Sequence, residues 1–461
     1  MASSIMAEIT RLDLKDLRAP LAASITDVKP LSSYNWIEAP TPTIAVPGCP
    51  PLWSPLRGSR RLQKDSGLVY IAQNAARHPE SPLEPLFRAV YITNPTFDIR
   101  SIDVVTDRNN VRKLLSFIDP GSLQDGLQTF TIHIEVMQNT AIFCREEAAT
   151  QEYIGPQEFR GFGHEFEKAY TSNQIDGSTG HHRVISYRFG DLNFIVRHET
   201  DGYVTDTTPN SQEPGDANLS NILASLSLSP SKGLADTTPT GSKLTIRKEG
   251  LVVPPESFLE IKTRASRRPL HIRDVAPQLW LSQTPKLVRA YHTKGTFQRP
   301  EIEDVAAEIK VWEKANKDNL GKLAALIRKI IGIVKEGGGS ATVNVVLSGR
   351  PCSVGALQAP DDVPAPANVK HFSRELVYLD PVTVVIRDAL LHLLHDKPVF
   401  HRPAGPCHHM NSFTLPAPKA LLPAAATRCT RRKRGPCRLA RTVRPYVPCR
   451  GSTWPYRDPS R

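Results

Sequence analysis

Paired cysteines are missing from this 461-residue chain. Its seven cysteines, Cys49, Cys144, Cys352, Cys407, Cys429, Cys437 and Cys449, are odd in number and scattered, with no CxxC pair and no metal-ligand spacing. A disulfide framework and a structural zinc site are thereby disfavoured, and reduced thiols are expected. No uncharged apolar run approaches the length of a membrane span, and Met1 is followed by no basic stretch leading into an apolar one. The expectation is a soluble, intracellular protein. GxxxxGK[ST] does not occur, which disfavours a P-loop NTPase. The two aspartate-rich helices of a prenyl-diphosphate synthase are absent as well, because the one adjacent pair, Asp361-Asp362, lies in the proline-rich DDVPAP. HEFEK opens like a zinc-protease helix, but position 168 is Lys where that motif needs a second histidine after His164.

The body of the chain also lacks a charge excess. Residues 401–461 hold 13 Lys and Arg against the single acid Asp458, so the net +12 resides there and the preceding 400 residues are formally neutral. That tail combines ten prolines and four cysteines with RRKRG and has no periodicity, so it is read as a disordered appendage. Its basic run is a nuclear address, an RNA-backbone contact or simply solvated charge; the expected location is nuclear, cytoplasmic or both.

What is present divides the chain further. Residues 1–30 form a polar segment in which MAEITRLDLKDL is helix-like. From Leu31 to Trp53 proline and aromatics suggest extended backbone. GLVYIAQ and AVYITNP read as strands, RNNVRKLLSFI as a helix, and FTIHIEVMQNTAIFCREE as a hairpin turning near Gln138-Asn139. FRGFGHEFEKAYTSNQ reads as a helix, and HHRVISYRFGDLNFIVRHETDGYV as a second hairpin turning at Gly190-Asp191. Residues 205–242, dense in Ser, Thr, Pro and Gly, are expected to be a disordered insertion, with LSNILASLSL at most a short helix. KLTIRKEG, SFLEIKTRA and KLVRAYH follow as strands, with PQLWLSQ as a short helix. Residues 303–336 hold the clearest helical period, with Leu320, Leu323, Ile327, Ile330 and Val334 on one face. ATVNVVLSG is the last expected strand; residues 351–400 carry no firm pattern.

Two short motifs carry chemistry. Side chains two apart on a strand share a face, which pairs Glu199 with Asp201 and Glu260 with Lys262. Such groups at the ends of apolar strands need compensation. One solution is a cross-strand salt bridge. The other is a hard divalent cation, which takes carboxylate oxygens and keeps room for phosphate oxygens; two such ions clamp the attacking and leaving oxygens of a phosphodiester, with a lysine alongside to balance charge.

The surroundings sharpen the choice. Arg108 in VTDRNNVRKLL, Gly163 with Phe166-Glu167 in RGFGHEFEK, Glu199 with Asp201, Glu260 with Lys262, and Gln278 in APQLWLSQTPKLVRAY together resemble the decapping exoribonuclease (DXO/RAI-like) family, related to the PD-(D/E)xK nucleases. The resemblance covers roughly residues 31–350. It implies an α+β fold, with a central mixed β-sheet, a second antiparallel layer, flanking helices and metals in the cleft between layers. It further implies that Glu167, Asp201 and Glu260, with the Ile261 carbonyl, hold two divalent ions, Mg2+ or Mn2+, and that Glu199 acts through their waters. Lys262, Glu260 and Gln278 would be catalytic, Gln278 also touching the scissile phosphate, and Arg108 would bind phosphate of the RNA 5′ end. The activity implied is metal-dependent hydrolysis at RNA 5′ ends: removal of incomplete or NAD caps or pyrophosphate, in some members with 5′–3′ exonuclease action. The alternative is a catalytically weak relative that partners a 5′ exonuclease. Three departures stand out. Asp201 and Glu260 are 59 positions apart, RAYH replaces a more apolar strand, and Arg112 competes with Arg108 for the arginine role.

Overall fold

The computed structural model describes residues 5–9, 12–15, 17, 23–119, 130–205, 236–345 and 352–355. All belong to one compact unit, Met1–Lys397; the other unit, Pro398–Arg461, lies outside the described residues. Also outside them are the basic tail with its RRKRG run, residues 206–235 of the Ser/Thr/Pro-rich insertion including LSNILASLSL, and residues 351–400 apart from 352–355.

The strands that build the site are, along the chain, β1 (Ile25–Ile37), β2 (Val104–Asp107), β3 (Ser178–Phe189), β4 (Leu192–Glu199), β5 (Gly202–Tyr203), β6 (Phe258–Ala265) and β7 (Lys286–Thr293). The helices are α1 (Gln73–Arg77), α2 (Glu84–Thr93), α3 (Arg108–Ile118), α4 (Gly163–Tyr170), α5 (Ile272–Ser282), α6 (Ala306–Ala315) and α7 (Lys317–Glu336). The architecture is α+β. An 11-stranded mixed sheet contains β2, β4, β3 and β1 as consecutive neighbours, and an 8-stranded sheet contains β5, β6 and β7. β4 is an interior strand, paired antiparallel with β3 and parallel with β2, and both its faces are covered. Phe194 and Val196 point into the core under α3, α5 and α7, whereas Ile195 joins the opposite core against α2. The β3–β4 hairpin turns where expected, with Gly190 at φ 57° and Asp191 at φ 68°. Phe130–Met137 and Thr140–Glu146 pair across Gln138-Asn139.

Several expectations are corrected. The second layer is mixed rather than antiparallel: β6 runs parallel to β7 because α5 connects them, and a helical crossover returns the chain in the same direction. AVYITNP is no strand, since Ala89–Thr93 completes α2, whose Leu86, Phe87, Ala89 and Val90 are buried at helical spacing. The expected helix at MAEITRLDLKDL is instead strand Ile5–Ile9 followed by a 3-10 turn, Asp13–Lys15. The helix at residues 163–170 is shorter than expected, Thr171–Ser172 being a strand. Of residues 303–336, Glu303 and Asp304 end a strand and the rest form two helices, α6 and α7, meeting at Asn316; the predicted α7 stripe is buried throughout. Extended backbone starts at Ile25 rather than Leu31 and belongs to sheets.

Glu84 at the start of α2 is 3% exposed and accepts from His78 Nε2 (2.8 Å) and Arg88 Nε (3.1 Å). Burial would raise its carboxyl, but His78, Ser242 and Arg88 outweigh burial and hold it below the ordinary value. Its stabilisation is therefore complete above the unfolded carboxyl value of about 4.3 and lost as pH falls below it. In acid denaturation Glu84→Gln is expected to melt lower at pH 7 and to flatten the loss of stability between about pH 5 and 3. Parallel curves for variant and wild type would refute this.

Candidate active site between the two sheets

The chain changes sheets at the acidic motif. β4 ends at Glu199, Thr200 N donates to His181 O at 3.0 Å, and Gly202 already pairs with Leu259 of the second sheet. Glu199 and Asp201 are therefore not neighbours on one strand face, which corrects the expectation. Each ends or begins a different sheet, so the acids enter the interlayer cleft from separate layers. Gly202 permits the crossing, since a Cβ there would stand 3.0 Å from Pro51 O.

Glu260 and Lys262 do share a face of β6. Glu260 is 2% exposed, and its Oε1 accepts from both Lys262 Nζ and Gln278 Nε2 in very short contacts. Its Oε2 faces Arg108 Nη1 at 3.4 Å. Asp201 Oδ2 accepts from Ile261 N at 2.7 Å. Three of the sequence-predicted residues, from α3, β6 and α5, thus meet at the carboxylate of a fourth, Glu260. Glu167 on α4 stands beside Asp201, half-buried, and Glu199 is open to solvent at the mouth.

The electrostatics divide the acids into two kinds. Burial alone would raise Glu260, but Lys262 and Arg108 hold it below the ordinary carboxylate range. Lys262 is held above its ordinary value by Glu260 and Asp201, against the opposing pull of burial. Burial and the Glu260 charge push Asp201 up to about 7, and burial together with Asp201 pushes Glu167 well up. At Glu199, enclosure by the cleft raises the carboxyl more than Arg108 lowers it, and solvent contact limits the effect. Glu260 is neutralised by the protein's own cations; Glu167 and Asp201 are not.

Two cavities meet here. A cleft of about 660 Å3 is lined by Glu167, Asp201, His164 and Lys168, and a basic cavity of about 200 Å3 by Arg108, Arg112, Arg145 and Gln278. Glu199 and Gln73 line both. Arg112 lies one helical turn from Arg108 and donates to Asn109 Oδ1 at 3.1 Å; Arg108 is the arginine that reaches Glu260.

Gln73 carried no sequence signal. It is 6% exposed and accepts from His182 Nε2 at 3.0 Å, while its Nε2 donates to Thr179 O at 3.0 Å. His181 and His182 lie within β3 at 1% and 5% exposure. Burial lowers both well below the ordinary histidine value and leaves them neutral. A Cβ at Gly180 would stand 2.5 Å from Gln73 Oε1 and 3.2 Å from Glu199 Oε1. Gly180→Ala is therefore expected to dislodge Gln73 from His182 and cost about 1–3 kcal/mol in denaturant unfolding. Unchanged stability would show that Gln73 gives way freely.

As placed, no three His, Cys, Asp or Glu side chains among the described residues converge closely enough to enclose a metal ion. The donor chemistry nevertheless fits a hard divalent cation: Glu167 and Asp201 are oxygen donors whose charge the protein compensates only in part, and a cation would draw them together.

Solved structures resemble the chain weakly. The Rai1 of S. pombe superposes with a TM-score of 0.47 at 10% identity, covering 76% of this chain and 99% of that one. The Rai1 of Scheffersomyces stipitis gives 0.45 at 12% identity, over 74% and 90%. A manganese complex of K. lactis Dxo1 gives 0.42 at 9% identity, over 78% and 99%. None of the curated proteins matches the chain in sequence. Residues 8–351 match the family model described as a domain of unknown function (DUF8563), and the chain belongs to that family.

Proposed function

We propose that this protein is a divalent-metal-dependent hydrolase acting on RNA 5′ ends. The observation that carries the reading is the meeting of Arg108, Lys262 and Gln278 on Glu260 beside two under-compensated acids, Glu167 and Asp201. This arrangement supports the roles that the motif order implies. Glu167, Asp201 and Glu260, with the Ile261 carbonyl, would hold the metal, and Glu199 at the mouth would act through its waters. A bound divalent cation supplies Lewis-acid polarisation of phosphoryl oxygens. Lys262 balances negative charge on the phosphoryl oxygens, while Gln278 orients the scissile group by its amide. The guanidinium groups of Arg108 and Arg112 border a basic cavity suited to 5′ phosphate oxygens. Hydrolysis of a phosphodiester or pyrophosphate bond fits this set; removal of incomplete or NAD caps, and 5′–3′ trimming, belong to the same proposal.

A second reading has one observation in its favour. Glu260 Oε1 is already engaged by Lys262 and Gln278, as in a closed salt-bridge network, which suits a catalytically weak partner of a 5′ exonuclease. The deciding assay incubates the protein with Mg2+ or Mn2+ and 5′-labelled triphosphate, unmethylated-cap and NAD-capped RNAs. Metal-dependent release from at least one RNA, lost in Glu260→Ala, supports the hydrolase. All RNAs intact, with wild type and variant identical, overturns it.

A further inference from the structure

Across β3 and α5 from the cleft lies a third cavity, of about 430 Å3, with a mainly apolar wall that includes Ile185, Leu279, Trp280 and Ile309. Arg183 borders it. This side chain is 4% exposed, its guanidinium lies 3.6 Å over the Phe258 ring, and its Nη1 has no hydrogen-bond partner. No carboxylate among the described residues forms an ion pair with it. The two acids on the cavity wall do not serve: Glu313 Oε1 accepts from Ile25 N at 3.1 Å and Trp280 Nε1 at 2.7 Å, and Glu256 is exposed at the rim.

A buried guanidinium without a counter-charge is costly, and stacking on one aromatic ring recovers only part of that cost. Burial, with repulsion from Arg108, lowers Arg183 to about 9, a sign of how poorly its charge is compensated. A mainly apolar cavity with one buried, unpaired cation, its other charges being exposed at the rim (Lys310, Glu256) or hydrogen-bonded (Glu313), has the chemistry of a small-molecule site, and the volume is within the usual range for such pockets.

We propose that this cavity binds a small amphipathic monoanion, a medium-chain carboxylate, whose head pairs with Arg183 and whose chain lies against Trp280, Leu279 and Ile309. Arg183 is the buried cation of the wall, Lys310 being exposed at its rim, and one buried positive charge selects a monoanion while the apolar wall requires an aliphatic or aryl body. The site is independent of the hydrolase reading. It is also a near neighbour of the cleft, because His182 and Gln278, each one residue from a cavity residue, line the basic cavity.

Titration of the full-length protein with octanoate, followed by tryptophan fluorescence and thermal melting, tests this. Saturable octanoate binding is expected, with octanol markedly weaker and an octylammonium ion not bound. Arg183→Met should weaken octanoate by about tenfold or more, as loss of a charge-assisted hydrogen bond does. Val28, 41% exposed, also lines the cavity, so Val28→Trp should narrow its mouth and abolish binding with Arg183 intact. If Arg183→Met fails to fold, the octanol comparison and Val28→Trp still decide. Absence of saturable binding, equal affinity for octanol and octanoate, or undiminished binding by either variant overturns the proposal.

Discussion

Glu167→Gln is expected to lower metal-dependent hydrolysis of the susceptible RNA by about 10²–10³-fold, the size of losing one preorganised electrostatic group, while making the metal-free protein more stable. The opposite signs follow from the acids' surroundings. Glu167 is pushed well up by burial and by Asp201, so the folded state disfavours its charged form. A raised carboxyl destabilises the fold at every pH above the unfolded value, and the neutral amide removes that penalty. The wild type should therefore gain thermal stability on adding Mn2+, whereas Glu167→Gln should start higher and gain little. Melting curves with and without Mn2+, beside the rate measurement, separate the effects. A variant that melts lower than wild type without metal would show that Glu167 is held by unrecognised partners and is no free ligand. Glu260 predicts the reverse sign: its removal strands Lys262 and Arg108, so Glu260→Gln should lose activity and stability together.

Asp107→Asn is expected to cost about 3–5 kcal/mol of stability, the scale for breaking a buried ion pair by removing one partner. Arg197, 1% exposed within β4, donates from Nε and Nη2 to the two oxygens of Asp107 at 2.6 and 2.9 Å. Its Nη1 reaches Pro82 O at 2.6 Å and Tyr34 OH at 3.3 Å. The neutral amide leaves the guanidinium buried with neutral partners alone. Asp107 also immediately precedes α3, whose first residue is Arg108, so loosening it should displace an arginine of the cleft. The double variant Asp107→Asn/Arg197→Met should recover part of the loss, because no buried charge remains. Chemical denaturation of the three variants provides the cycle. Strict additivity would mean that Arg197 is stabilised by Pro82 and Tyr34 rather than by Asp107.

The neutrality of the body, the turns at Gln138-Asn139 and Gly190-Asp191, the apolar stripe of α7 and the shared face of Glu260 and Lys262 were all determined by sequence alone. Each depends on spacing over a few residues, where backbone geometry dictates which side chains are neighbours. The ordered set of Arg108, Glu167, Glu199, Asp201, Glu260, Lys262 and Gln278 was legible too, but only as an order.

Tertiary structure decided what those residues touch. E-x-D read as one strand face because period-two alternation contains no signal that the chain changes sheets after Glu199; pairing of Gly202 with Leu259, far along the chain, sets that. The burial of His181 and His182 comes from β1 and β4 on either side of them, and Gln73 enters the site from a helix more than a hundred positions before its partner His182. That Arg108 rather than Arg112 reaches Glu260 came from the approach of α3 to β6. Local periodicity places a side chain on a face, but its partners and its exposure to water depend on long-range packing, which closes the cleft around Glu260 and leaves Arg183 buried without a counter-charge.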